Sequence, residues 1–395
     1  MTAAGANDRG GDVAELTAAL VRADSRNPSL AAGAPGEGEA AGVMANWLRA
    51  AGFDVERHDD VAGTDRPNVV ARAGRRESGA RSLMLNGHLD TVGVDGMTHA
   101  PFASERRGAL VYGRGAADMK GGLAAMAIGA ARAHAAGAIA GEVIVAAVAD
   151  EEMASAGTRA LLARGVRADA AIVGEPTGLA ICPAHRGFAW VTVTVHGRAA
   201  HGSRYDLGVD AVTGAGLLLA ELDAYQHDVL ARRPEHPLLG RASLHASLIE
   251  GGSGVSTYAE RCALTIERRT LPGESGADAV AEVRAAWDRV RQRRPALAAS
   301  IEAGLAQPPC EVAPDAPVVR SLGAALAAAG EPVRMAGMTA WTDAALLTAA
   351  GVPAICFGPG DIGLAHAAEE YVDVGEVERA AWVIERMIGE WCGAR

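Results

Sequence analysis

Four apolar runs in this chain each stop at acidic or histidine-bearing residues, and helical patterns lie between them. One run leads into Leu85-Asn86-Gly87-His88-Leu89-Asp90-Thr91-Val92. A second, EVIVAAVADEE, spans about 143 to 149 and ends in Asp150-Glu151-Glu152. The third, ADAAIVGEPT, ends in Gly174-Glu175-Pro176, and the fourth, VPAICFGPGD, is followed by LAHAAEEYV with His366. Short apolar runs bounded by turn residues read as buried strands. Helical patterns at about 120–137, 155–164, 315–330 and 377–392 alternate with them. Such alternation predicts an α/β domain with a mostly parallel sheet sandwiched by helices. Ligands of these sheets bind beyond the carboxyl ends of the strands, so the four tips are expected to meet at one edge.

The middle of the chain has another rhythm. FAWVTVTVHG alternates as a half-buried strand, DAVTGAGLLLAELDAYQ reads as a helix, and RASLHASLIEG and RCALTIERR are two more strands. A helix (DAVAEVRAAWDRVRQRR) and a last strand (ALAASIEA) close a βαββαβ set, the order of a ferredoxin-like unit. At 395 residues the chain is too long for one ordinary core. The expected division is a catalytic domain in two segments, 1–185 and 304–395, with 186–303 inserted between them.

Composition excludes several functions. The formal charge is −11, from 37 Lys+Arg against 48 Asp+Glu, which disfavours a phosphate-rich partner and so nucleic acid. Aromatic residues are only 4%, too few to build stacking platforms for single strands. No window approaches the apolar length a membrane helix needs, so no membrane is expected. The start, MTAAGANDRGGDVAEL, carries acids and glycines where a secretory signal would be basic and then apolar; a cytoplasmic location is expected. Five scattered cysteines without a C-x-x-C pair suggest neither a disulfide framework nor a thiolate metal site.

Seven residues would meet at the strand tips: His88, Asp90, Asp118, Glu151, Glu152, Glu175 and His366, with Asp118 coming from the glycine-rich YGRGAADMKGG. Five carboxylates in one crevice repel one another unless a cation compensates them. Imidazole and carboxylate donors without thiolate suit zinc, with cobalt or manganese as substitutes, and the set is large enough for two ions. In His88-x-Asp90 the aspartate can accept the second ring N–H of a ligating histidine and so fix its tautomer. Gly87 would let the backbone pass close to the ions. Adjacent side chains at a strand end diverge, so one of Glu151 and Glu152 would bind metal and the other act as general base. Taken alone, the acidic pair also suits a solvated helix start. The glycine-rich segment lacks both phosphate-binding fingerprints.

GHLDTV, GRGAADMKGG, DEE, GEPT and GPGDIGLAHAAEEYV, in this order, resemble the M20 family of dinuclear zinc amidohydrolases. The resemblance runs from about Val13 onward and includes the inserted domain. It implies that His88, Asp118 and Glu175 hold one zinc and Asp118, Glu152 and His366 the other. Glu151 is then the general base and Asp90 supports His88. VHGRAAHGS resembles the segment whose histidine, here His201, reaches a partner subunit's active site and stabilises the oxyanion. IERRTLPGE resembles the segment whose arginine binds the substrate carboxylate; position favours Arg269, with Arg268 adjacent. Two features depart from the family pattern. Ser256 stands where many members carry asparagine and Ala259 where they carry proline, and His366-Ala367-Ala368 lacks the proline of the usual motif.

The resemblance implies hydrolysis of the amide of an N-acyl amino acid by a homodimer joined through the inserted domain, which would also serve as a lid. The alternatives are a metallo-exopeptidase acting on short peptides, or release of an amino acid from a carrier protein. A non-enzymatic protein of this fold should have lost Glu151 or a ligand, and none is lost.

Overall fold

The computed structural model describes residues 12–61, 66–75 and 80–393. The N-terminal stretch read above for targeting therefore lies, up to residue 11, outside the described residues. The chain forms two compact units. The larger takes residues up to Pro183, Val312–Ala336 and those from Thr342 onward, and the smaller takes Ala184–Glu311 with Gly337–Trp341.

The sheet of the larger unit is mixed. Four strands run parallel in the order Glu142–Val148, Ser82–His88, Ala170–Val173, Ala354–Cys356. Asn68–Gly74 and then Asp54–His58 extend it antiparallel at one side, and Ile181–His185 does so at the other. The parallel strands are buried nearly throughout, which is why they read as continuous apolar runs with no alternation. Helix Gly121–Ala135 is likewise buried on almost every side. Its small residues permit this: a Cβ on Gly129 would lie 2.6 Å from the Ala381 carbonyl of helix Val374–Cys392. A Cβ on Gly122 would lie 1.8 Å from the Gly174 carbonyl, so the helix start sits against the loop that carries Glu175.

The smaller unit is a four-stranded antiparallel sheet in the order Ser243–Gly251, Arg261–Thr270, Gly187–His196, Ala298–Gln307. Helices Ala211–Asp228 and Gly276–Arg293 cover one face of it. Along Gly187–His196 the buried residues Ala189, Val191, Val193 and Val195 face the helices and alternate with half-buried ones. This is the period-2 burial that a sheet with one covered face requires. Among the described residues no helix is long and apolar enough to cross a membrane.

Candidate metal centre

His88 is the last residue of strand Ser82–His88 and is almost fully buried. Its Nδ1 lies 2.9 Å from the backbone carbonyl of Asp90, and the Asp90 carboxylate is farther away at 3.8 Å. The carbonyl therefore sets the tautomer, and Nε2 faces Asp118 Oδ1 at 3.1 Å. The Asp90 carboxylate has a different set of partners. Its two oxygens accept the backbone N–H groups of Glu151 at 3.1 Å and Glu152 at 3.2 Å, and the Asn27 amide at 2.8 Å. His88-x-Asp90 thus couples two strand tips.

Gly87 also has a reason other than the one expected from the sequence. A Cβ there would lie 2.7 Å from Met119 Cε and 2.9 Å from Leu123 Cδ2, so glycine makes room for apolar packing beneath the site.

Asp118 lies in a single wide turn, Ala116–Lys120, that leads into helix Gly121–Ala135. Gly115 enters this turn with φ 81°, a value natural to glycine. One Asp118 oxygen meets His88, and the other lies 3.5 Å from His366 Nε2. His366 Nε2 is also 3.1 Å from Glu152 Oε2. His366 itself has φ 60°, uncommon for a residue with a side chain. His88, Asp118 and Glu152 each offer a ligand atom, all within 4.8 Å of one another.

Electrostatics ties the remaining acids to this cluster. Burial pushes the Glu151 and Glu175 carboxyls well above the usual range; His88 opposes this in both, while Glu175 adds to it at Glu151 and Asp118 adds to it at Glu175. Burial and then Asp118 raise Glu152 as well. Asp118 is instead lowered, because its hydrogen bonds to His366 and His88 outweigh its burial. Two imidazoles do not balance this many buried acids. A donor set of this composition, with one carboxylate lying between two histidines, fits divalent cations.

A pH dependence follows from these shifts. Burial alone would lower His88, but Asp118 and Glu151 hold it well above its ordinary value. Hydrogen bonds to Asp118 and Glu152 drive His366 up to about 10. Both imidazoles are thus charged at pH 7 without metal, and ligation requires them neutral. Loading should release about two protons or more, and affinity should fall as pH is lowered. Calorimetric titration with Zn²⁺ in buffers of different ionisation enthalpy measures this; zero proton release would contradict the assignment.

Several residues of the site have a role that no motif assigns. Glu370 is fully buried; its Oε1 accepts the N–H groups of Ala117 and Asp118, and its Oε2 accepts Arg114 Nη1 at 2.6 Å. It lies in the GPGDIGLAHAAEEYV stretch, four residues after His366, but that motif assigned it no role. Asp343 is buried, accepts the Thr158 hydroxyl at 2.6 Å, and is pushed up to about 6 by burial. Asn27 and Arg66 had no signal at all.

The other candidates lie in the smaller unit. His201 is exposed, and its Nδ1 accepts the Ser203 N–H at 3.2 Å and lies 2.8 Å from the Ser203 hydroxyl. The ring hydrogen of the neutral form is therefore on Nε2. Its loop pairs with the segment carrying Ser256, whose carbonyl accepts the Gly202 N–H. Arg268 and Arg269 point to opposite sides of strand Arg261–Thr270. Arg268 is 1% exposed and bonds Glu274 at 2.8 Å and Glu282 at 2.9 Å. Arg269 is half-buried on the other face, 3.2 Å from Glu267 and over the Phe188 ring.

Residues 84–390 match the model of peptidase family M20/M25/M40. An acetylornithine deacetylase of Myxococcus xanthus is 33% identical over 353 residues, 88% of this chain and 90% of that protein. Another, from Photorhabdus laumondii, is 29% identical over 358 residues, 89% of each chain. In fold, the chain resembles an M20 family metallo-carboxypeptidase from Sulfolobus solfataricus, with TM-score 0.78 at 15% identity over 96% of this chain and 99% of that one. It also resembles a dinuclear metal-binding M20 peptidase from Bacillus subtilis, with TM-score 0.73 at 15% identity over 96% and 97%. The chain belongs to the M20/M25/M40 peptidase family, whose members are hydrolases of amide bonds.

Proposed function

We propose that the protein is a metal-dependent deacylase that hydrolyses the amide of an N-acyl amino acid. The observation that carries this reading is the convergence of His88, Asp118, Glu152 and His366, with Glu151 pinned beside them through its backbone. His88, Asp118 and Glu175 would hold one Zn²⁺ and Asp118, Glu152 and His366 the other, with Co²⁺ or Mn²⁺ as substitutes. The ions would polarise the amide carbonyl and supply a reactive water at neutral pH. Glu151 takes a proton from the attacking water and returns it to the leaving amine. Arg269 holds the α-carboxylate, because Arg268 is occupied by its glutamates. His201 donates from Nε2 to the developing oxyanion in the active site of a second copy.

The smaller unit, as lid and dimerisation domain, has a surface suited to that copy. Edge strand Ser243–Gly251 pairs with another strand on one side only and, beyond Leu244, whose N–H donates to Gln226, exposes Leu248 (67%) and Ile249 (61%). These features support a homodimer joined through this edge.

The test is a mass-spectrometric hydrolysis screen of zinc- and cobalt-loaded protein. Its panel holds N-acetyl, N-formyl and N-succinyl amino acids, N-acetylornithine among them, with dipeptides and a chelated control. Chelator-sensitive release from acyl amino acids is expected. Cleavage of dipeptides alone would make the protein an exopeptidase and overturn the deacylase reading.

A further inference from the structure

Glu151 and Glu152 follow Asp150, which has φ 67°, a conformation strained for a residue with a side chain. The structure assigns the task of holding this turn to Asn27 and Arg66, which act as positioning residues for Glu151 and Glu152. The inference rests on the proposed role of Glu151 as base.

The Asn27 Oδ1 accepts the Ser29 N–H at 2.9 Å, which orients the amide so that Nδ2 faces the acids. From there Nδ2 donates to Asp90 Oδ2 at 2.8 Å and to Asp150 Oδ1 at 3.1 Å. Asp90 is the residue that accepts both the Glu151 and Glu152 N–H groups. One buried amide thus ties the acceptor of those two N–H groups to the residue that precedes them. Arg66 completes the clamp. Its Nη1 bonds the same Asp150 oxygen at 2.5 Å, and its Nε and Nη2 bond both oxygens of Glu37, which is fully buried. Glu37 in turn accepts the Asp150 N–H at 3.3 Å, and the other Asp150 oxygen accepts the Ala156 N–H at 3.3 Å.

Asp150 is therefore held through its backbone and both carboxylate oxygens. Without that hold the turn can relax, and the two glutamates lose their separate aims. Loosening the hydrogen-bonded partners behind metal ligands typically costs about 10–100-fold in metal affinity or activity.

Asn27→Ala tests this directly, with Ser29→Ala as a control on the same loop. Arg66→Lys is a milder second variant, because it keeps the charge but cannot span Glu37 and Asp150. For Asn27→Ala, kcat should fall about 10–100-fold with KM within about threefold, and Zn²⁺ affinity should fall about tenfold. The affinity is measured by chelator competition and needs no substrate. Arg66→Lys should move both readouts the same way, and Ser29→Ala neither. Glu151→Gln runs in the same assay. If it is inactive while Asn27→Ala and Arg66→Lys keep kcat and Zn²⁺ affinity within twofold, the clamp is overturned. If Glu151→Gln turns over normally, the base assignment fails instead, and chelator competition alone judges the clamp through Glu152.

Discussion

Glu151→Gln is expected to fold, bind metal and lose about three or more orders of magnitude of kcat. Glutamine has the same shape and keeps the backbone N–H that Asp90 accepts, so the turn should survive. What it cannot do is accept a proton from water or deliver one to the leaving amine, and both transfers run through this carboxyl. Burial and three neighbouring acids oppose its ionisation, while His88 favours it. The charge of bound cations would restore the ionised, proton-accepting form. Steady-state kinetics on the best substrate of the screen, with metal content measured in parallel, checks this. Wild-type turnover would refute the base assignment. Mixing Glu151→Gln with His201→Ala chains extends the test to the dimer. If His201 acts across subunits, each hybrid dimer holds one intact site, and about a quarter of wild-type activity should return from two inactive parents. No recovery after subunit exchange would place His201 within its own subunit or outside the reaction.

The adjacent arginines should fail in opposite ways. Arg268→Met removes a buried cation that bonds Glu274, Glu282 and the Arg269 carbonyl. Arg233 still pairs with both partly buried glutamates, so the loss should be about 1–3 kcal/mol. Arg269→Met should leave stability within about 0.5 kcal/mol, because the residue is half-buried and its ion pair with Glu267 is partly solvated. Its cost should appear in KM instead, raised at least about tenfold for substrates with a free α-carboxylate. Urea unfolding and steady-state kinetics separate the two. Equal stability losses with unchanged KM would remove Arg269 from substrate binding.

Much of this protein was legible in its sequence because its signals are local. The parallel strands appeared as apolar runs, since both faces of the sheet are covered. The ferredoxin-like unit appeared as alternation, since one face is not. The acidic and histidine tips pointed to one edge, because strands in such a sheet share a direction. Strand alternation also separates Arg268 from Arg269, although parity alone does not say which face the helices cover.

Other features arose only when distant segments met. Asn27, Glu37 and Arg66 have no spacing that marks them, and Asp150, although part of the acidic tip, carried no role of its own there. Their meaning comes from hydrogen bonds closed by the tertiary fold. The same holds for Glu370, which shapes the Asp118 turn across some 250 residues. Asp90 shows the division within one residue. Its place beside His88 follows from the sequence, but its carboxylate is directed to Glu151 and Glu152 by the packing of a neighbouring strand. Residue types at strand ends determined what chemistry this chain can perform. Burial and long-range hydrogen bonds decided which atoms are held in place for it, because only a packed interior forces each polar group to find a partner.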